Sequence, residues 1–210
     1  VSPVWEVSPG LTDYPAALER MRAVAAGIRA GTESERIWLV EHAPIYTAGT
    51  SADPAELVEP SRFPVFAAGR GGRYTYHGPG QRVVYVMLDL AARGRDVRCF
   101  VAALEHWLID ALADSGVAGR IIAGKIGVWV DTEAGPAKIA AIGIRVQRWV
   151  SLHGVSINIC PDLSDFSGII PCGLFDPVTS LAALGRPATL PAFDASLARH
   201  FPALLARLVA

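Results

Sequence analysis

Three cysteines, two lysines and one twelve-residue run, "RGGRYTYHGPGQ" from Arg70 to Gln81, hold most of the reactive chemistry in this chain. Cys99 falls inside an apolar helical pattern and Cys160 ends a β-rich run beside a proline, so both read as small structural residues. Cys172 differs. In "IIPCGLFDP" Pro171 stiffens the approach and Gly173 removes bulk beside the sulfur, the setting expected of a thiol on a loop that substrate can reach. A free thiol titrates near ~8.5 and attacks as the thiolate, so a working Cys172 needs a basic neighbour.

Basic residues are lopsided by type, seventeen arginines against Lys125 and Lys138 alone. Lys138 opens "KIAAIGIRV", a small apolar environment that would desolvate an ammonium and lower its pKa from about 10.4, which would let the amine accept a thiol proton. Two other readings stay open: a strand-end lysine reaching for water, and His77 as the base of a Cys-His pair. The run from Arg70 to Gln81 has no aliphatic side chain. Its adjacent Gly71 and Gly72 allow close backbone approach, so N–H groups could face a carbonyl oxygen, and Pro79-Gly80 suits a type II turn. It is no nucleotide loop: "GRGGRY" breaks the Gly-x-Gly-x-x-Gly pattern at Tyr74, and no Gly-x-x-x-x-Gly-Lys-Ser/Thr occurs.

Secondary structure must bring these groups together. "DYPAALERMRAVAAGIRAG" predicts a helix with Leu18, Met21, Ala25 and Ile28 on its core face and Gly31 at its end. "RIWLVEH" reads as a buried strand, followed by a loop to about Pro64; "PVFAAG" and "RVVYVMLDL" read as strands enclosing the glycine-rich run. A second helix, "DVRCFVAALEHWLIDALADSG", would bury Val97, Val101, Leu104, Leu108 and Leu112. From Gly127 to Ile159, "GVWV", "KIAAIGIRVQRWV" and "VSINI" suggest an antiparallel meander turning at "DTEAGPA" and "SLHG". Two short helical stretches close the chain. The element order predicts an α+β fold, a single domain over 1–210 with a mostly antiparallel or mixed sheet flanked by helices.

Of the 210 residues 51% are hydrophobic, enough for a packed core, and no apolar run approaches the ~18 residues of a membrane span. Nothing in "VSPVWEVSPG" marks the chain for export, and three cysteines, an odd number at spacings that match no metal-ligand pattern, fit a reducing compartment, so a cytoplasmic location without membrane association is expected. A net charge of −1 argues against a general nucleic-acid binder. Charge is uneven, however: residues 1–66 carry −4 and residues 70–98 carry +4, a basic stretch that could meet an acidic partner.

Six blocks in order, "EHAPIYTAG", "RGGRYTYHGPGQ", "KIAAIGIRV", "SLHGVSIN", "DLSDFSGIIPCG" and "VTSL", resemble the lipoyl(octanoyl) transferases, octanoyl-acyl-carrier-protein:protein N-octanoyltransferases. The resemblance implies a biotin/lipoate protein ligase-like fold, acyl transfer through a thioester on Cys172, and Lys138 as the residue that activates it. It places the substrate pocket at Arg70, Gly71, Gly72, Arg73, Tyr74, Thr75, Tyr76 and His77, at Ala141, Ile142 and Gly143, and at Gly154, Val155 and Ser156. It implies no cofactor and no metal. The implied donor is octanoyl-acyl carrier protein, and the implied acceptors are lipoyl domains of 2-oxoacid dehydrogenases and the glycine cleavage H protein, served by a monomer. Where that family often has Arg-Pro before Gly-Val-Trp-Val, this chain has Lys125-Ile126, whose role the resemblance leaves open. The competing readings are an ATP-dependent lipoate or biotin ligase of the same fold, a Cys172-His77 thiol hydrolase and a noncatalytic acyl-chain binder.

Overall fold

The computed structural model describes residues 2–170, 176–186 and 188–208. In chain order the elements are β1 (Val4–Thr12), α1 (Tyr14–Ala30), β2 (Arg36–His42), β3 (Ile45–Ala48), β4 (Val65–Ala67), β5 (Tyr74–His77), β6 (Gln81–Met87), α2 (Val97–Ala113), β7 (Arg120–Ile122), β8 (Lys125–Thr132), β9 (Gly135–Gln147), β10 (Val150–Asn158) and α3 (Leu190–Arg207). Seven strands form one sheet in the order β1-β2-β6-β10-β9-β8-β7, and β4-β3-β5 form a second, small sheet. Within the large sheet β1 and β2 run parallel while the other pairs are antiparallel. A parallel pair needs a crossover, which α1 supplies. The expected α+β fold with a mixed sheet is present.

Local sequence explains why the helices start and stop where they do. Asp13 caps α1 by accepting from the Ala16 amide at 3.0 Å, Pro15 occupies the first turn, and Gly31 follows the last residue. Asp96 accepts from the Arg98 and Cys99 amides at the start of α2, and Thr189 caps α3. Helices cover both faces of the large sheet, and β6 shows the alternation that results. Val84 and Val86 point into a core shared with Phe100, Leu104, Trp107 and Leu108 of α2 and Phe193, Leu197 and Phe201 of α3. Val83, Tyr85 and Met87 point the other way, onto Met21, Val24 and Ile28 of α1. Truncating wholly buried Leu104 to alanine would cost ~2–5 kcal/mol.

Several elements differ from the sequence expectation. The segment around "PVWEVSPGLT" is a strand, β1, with Val4, Val7 and Leu11 exposed, and it pairs with β2 despite its proline and glycine. The stretch before Pro64 contains β3, and the run from Arg70 to Gln81 contains β5, because each supplies the other's hydrogen bonds in the small sheet. "SLHG" is strand; the β9–β10 turn falls instead at Arg148 and Trp149, with φ of 49° and 68°. Val97 is 38% exposed and Val101 half-buried, so the core face of α2 runs through Phe100, Ala103, Leu104, Trp107 and Ala111. The last stretches merge into one helix, α3, which carries Pro202 inside it.

Candidate active site

A cavity of about 560 Å³ lies on the α1 side of the large sheet, roofed by the loop 70–73 and β5. Its size falls within the range of roughly 300–1,000 Å³ usual for small-molecule sites. Its wall is made by Ala141, Ile142 and Gly143 of β9, Gly154, Val155 and Ser156 of β10, and Arg70, Gly71, Gly72, Arg73, Tyr74, Thr75 and His77. Lys138 lines it too. Of the predicted pocket residues only Tyr76 turns away: its hydroxyl donates to Asp165 at 2.7 Å, and its ring packs against Tyr46, Phe63 and Phe166. Cys172 lies outside the described residues.

The loop at the mouth is built around Arg70. Its guanidinium donates to Gly71 O at 2.9 Å, Arg73 O at 3.0 Å, Thr47 O at 3.0 Å and Thr47 Oγ1 at 2.8 Å. That slot exists because two flanking residues lack side chains. A Cβ on Gly143 would stand 2.7 Å from Arg70 Cδ, and one on Gly49 would stand 2.1 Å from Gly72 O. The Gly71 amide donates to Ile144 O at 3.0 Å, so it ties the loop to β9 and is committed there, contrary to the expectation that it faces a substrate carbonyl. At the other end of the run, Gln81 N donates to Gly78 O at 3.1 Å with Gly80 at φ 82°, as a type II Pro-Gly turn requires.

Lys138 is buried, 8% exposed, and does not reach for bulk water. It lies opposite Trp129 in the β8–β9 pairing, its Nζ 4.8 Å from the Trp129 ring centroid. A register shift makes this possible. Val128 pairs with Ala140 but Trp129 pairs with Lys138, so β9 carries an extra residue at Ile139. Ile139 and Ala140 consequently both enter the core, leaving Lys138 and Ala141 on the cavity wall. The Lys138 backbone is held from both sides by the segment that follows Cys172 in sequence: its N–H donates to Pro177 O at 2.7 Å and its carbonyl accepts from Thr179 N at 2.9 Å.

Lys125 shares the same indole, with Nζ 5.1 Å from the Trp129 centroid and 2.6 Å from Asp176 Oδ1. Both lysines of the chain therefore converge on one tryptophan. The Trp129 Nε1–H donates to Lys125 O at 3.1 Å, which orients the ring. Sequence reasoning missed Trp129 and Asp176; the scarcity of lysine was the one signal pointing there.

The inner wall holds buried histidines. His77 Nδ1 meets Gln81 Oε1 at 2.6 Å, and the Gln81 amide nitrogen donates to Asn158 Oδ1 at 2.9 Å, which assigns Gln81 Oε1 as acceptor and His77 Nδ1 as donor. Asn158 in turn donates to Thr179 O at 3.0 Å, linking His77 to the segment that clasps Lys138. Burial, reinforced by His42, lowers the His77 pKa to about 3; burial, reinforced by Arg70, lowers that of His153 to about 4. Both imidazoles are neutral at pH 7. His42 donates from Nδ1 to Thr12 O, so its Nε2 accepts from Tyr85 OH, each at 2.7 Å.

Most of the basic stretch read from sequence is not free surface charge, although Arg95 and Arg98 are exposed. Arg82 is clamped bidentately by Asp194 at 2.8 and 2.9 Å, Arg93 pairs with Glu35, Arg73 pairs with Glu56, and Arg70 is turned into the loop. Half of the linear charge, that of Arg73, Arg82 and Arg93, is cancelled by acids brought in from elsewhere in the fold.

The model of the lipoyl protein ligase A/B catalytic domain matches residues 13–202. The chain is 62% identical over 205 residues to an octanoyltransferase of Rhizorhabdus wittichii, covering 97% of this chain and 92% of that one. It is 64% identical over 208 residues to an octanoyltransferase of Sphingopyxis alaskensis, covering 98% and 95%. Among solved structures, lipoate-protein ligase A bound with ATP superposes with a TM-score of 0.73 at 13% identity over 98% of this chain and 86% of that one. A bipartite lipoate protein ligase of Thermoplasma acidophilum gives 0.69 at 15% identity over 97% and 84%. The structural likeness establishes the lipoate ligase fold, and together with the sequence matches it shows that the chain belongs to the lipoyl protein ligase A/B catalytic-domain family, alongside the octanoyltransferases.

Proposed function

We propose that the protein is an acyltransferase of protein lipoylation, moving an octanoyl group from octanoyl-acyl carrier protein to the ε-amine of a lysine on a lipoyl domain. The observation that carries this reading beyond the relatives' names is the placement of Lys138: buried on the wall of an apolar cavity, with its backbone clasped by residues 177–179, close in sequence to Cys172.

The chemistry divides into two displacements. Cys172, its proton passed to Lys138, attacks the thioester carbonyl of the donor; a new C–S bond forms, the old one breaks, and the departing carrier sulfur takes the proton from Lys138. The acceptor amine then attacks the octanoyl-Cys172 thioester, forming a C–N bond as Cys172 leaves. Lys138 collects the amine proton and returns it to the sulfur. Exchange of one thioester for another is nearly balanced, and the final amide pulls the cycle forward, so no nucleotide is consumed. The small side chain of Ala141 leaves room on the cavity wall for an eight-carbon chain, and the loop ordered by Arg70 covers it.

Incubation with octanoyl-acyl carrier protein and an apo-lipoyl domain, such as one from a 2-oxoacid dehydrogenase or the glycine cleavage H protein, tests the reading without ATP. An octanoyl amide on the lipoyl domain supports transfer. Free octanoate would indicate a thiol hydrolase, and a product that forms only when ATP and free octanoate are supplied would indicate a ligase.

A further inference from the structure

Among the described residues, a cluster of arginines without ion pairs lines a concavity away from the loop 70–73. Arg22 and Arg29 lie seven residues apart on α1, two helical turns, with Ala25 and Ala26 between them. Arg145 and Gln147 project from one face of β9, and Arg148 occupies the turn to β10. Together these residues line a concavity of about 400 Å³ with no carboxylate in it. All four arginines are exposed, and none has an acidic partner among the described residues. The turn is held in place: Trp149 O accepts from Leu90 N at 2.7 Å, so Arg148 rests on an anchored backbone despite its left-handed φ of 49°.

We propose that this arginine cluster is the docking surface for the acidic carrier protein that delivers the acyl group. The inference rests on the acyl-carrier donor proposed above. Position selects the donor over the acceptor. The patch and the acyl cavity share the α1 side of the sheet, and β9 runs from Lys138 on the cavity wall to Arg145 on the patch, seven residues or roughly 23 Å of strand. An acceptor lysine must reach Cys172 on a single side chain, so the body of a lipoyl domain has to sit close to Lys138. A carrier protein presents its thioester on a phosphopantetheine arm several times longer, and its body can be held at the far end of the strand. The chemistry agrees with the geometry: the carrier contributes acidic side chains and a phosphodiester, and arginine forks bind both. Four like charges left without internal partners also create a field that speeds encounter with an anionic protein.

The test is the Arg22→Glu/Arg148→Glu variant, which leaves the cavity wall untouched. KM for octanoyl-acyl carrier protein should rise by about tenfold or more at low salt, with kcat unchanged and turnover of octanoyl-pantetheine unchanged. The penalty should shrink as ionic strength rises. Introducing the same pair of charges into Cys172→Ala and titrating octanoyl-acyl carrier protein by calorimetry gives a readout independent of turnover, with binding weakened by about tenfold. An unchanged KM together with unchanged binding overturns the proposal. So does a raised KM for the lipoyl domain with the carrier unaffected, which would make this the acceptor's surface, and so do equal losses with carrier-bound and small donors. A wild-type protein that binds the carrier through these arginines yet never transfers its acyl group would refute the proposed function and leave the docking surface standing.

Discussion

The Nζ of Lys138 sits 4.8 Å from the centroid of Trp129, its neighbour across the β8–β9 pair, while Lys125 approaches the same ring at 5.1 Å from its own strand. An indole face attracts cations by ~0.5–2 kcal/mol, more where water is excluded. Trp129, 1% exposed, therefore orients the Lys138 amine without touching substrate. Trp129→Leu should lower kcat by roughly tenfold with little change in KM, whereas Trp129→Phe, which keeps an aromatic face, should retain most activity. Steady-state kinetics on variants shown by thermal melting to be folded decides it; a folded leucine variant with wild-type kcat would remove the positioning role.

Replacing Lys138 separates charge from proton transfer. Lys138→Ala should lose at least about a hundredfold in kcat. Lys138→Arg keeps a cation beside the indole but cannot release a proton near neutrality, so Cys172 should still alkylate readily while transfer fails. Wild-type transfer by the arginine variant would reduce Lys138 to a fixed charge.

Intact-mass analysis after exposure to octanoyl-acyl carrier protein should show one octanoyl adduct, lost in Cys172→Ser and kept in Cys99→Ser and Cys160→Ser. Cys99 donates to Arg207 O at 3.4 Å between α2 and the end of α3, and Cys160 is exposed just beyond β10; neither lines the cavity. An adduct mapped to either would end the assignment.

Arg70→Lys tests the loop. A lysine has the charge but not the planar fork that reaches Gly71, Arg73 and Thr47 together, so the loop should loosen and turnover should fall with carrier-bound and small donors alike, at a stability cost of ~1–3 kcal/mol. A loss confined to the carrier-bound donor would contradict a role in shaping the cavity.

His77 and His153, lowered to about 3 and about 4, set an acid limit on stability. Between those values and about 6.5 the unfolded chain binds protons that the folded chain refuses, so the contribution is full above pH 6.5 and declines as pH falls, by up to about 1.4 kcal/mol per pH unit for each histidine. His153→Asn, a residue that tolerates the φ of 61° found there, should flatten the slope of melting temperature against pH between 6 and 4. An unaltered slope would mean that His153 does not contribute.

The boundaries of α1 and α2, the antiparallel order of β8–β10 and the α+β class were legible because each depends on neighbours in sequence: Asp13 before Pro15, Gly31 after an apolar stripe, a Pro79-Gly80 turn; the single helix α3 and the turn at Arg148 and Trp149 were not. The pocket residues named by the motif blocks that carry the family resemblance, Tyr76 apart, line the cavity. Pairing decided the rest. β3 and β5 become strands only because each completes the other's hydrogen bonds, and the extra residue at Ile139, which turns Lys138 into the cavity, exists only in register with Val128 and Trp129. Charge behaves the same way. Arg73, Arg82 and Arg93 look like part of a basic surface in one dimension, yet Glu56, Asp194 and Glu35 arrive from distant positions to pair with them, while Arg22, Arg29, Arg145 and Arg148, scattered along the chain, end up side by side. Sequence determines which side chains can do chemistry; which are paired, buried or left facing a partner is a matter of distances that only the packed chain sets, because Coulomb and hydrogen-bond energies depend on separation in space and not along the backbone.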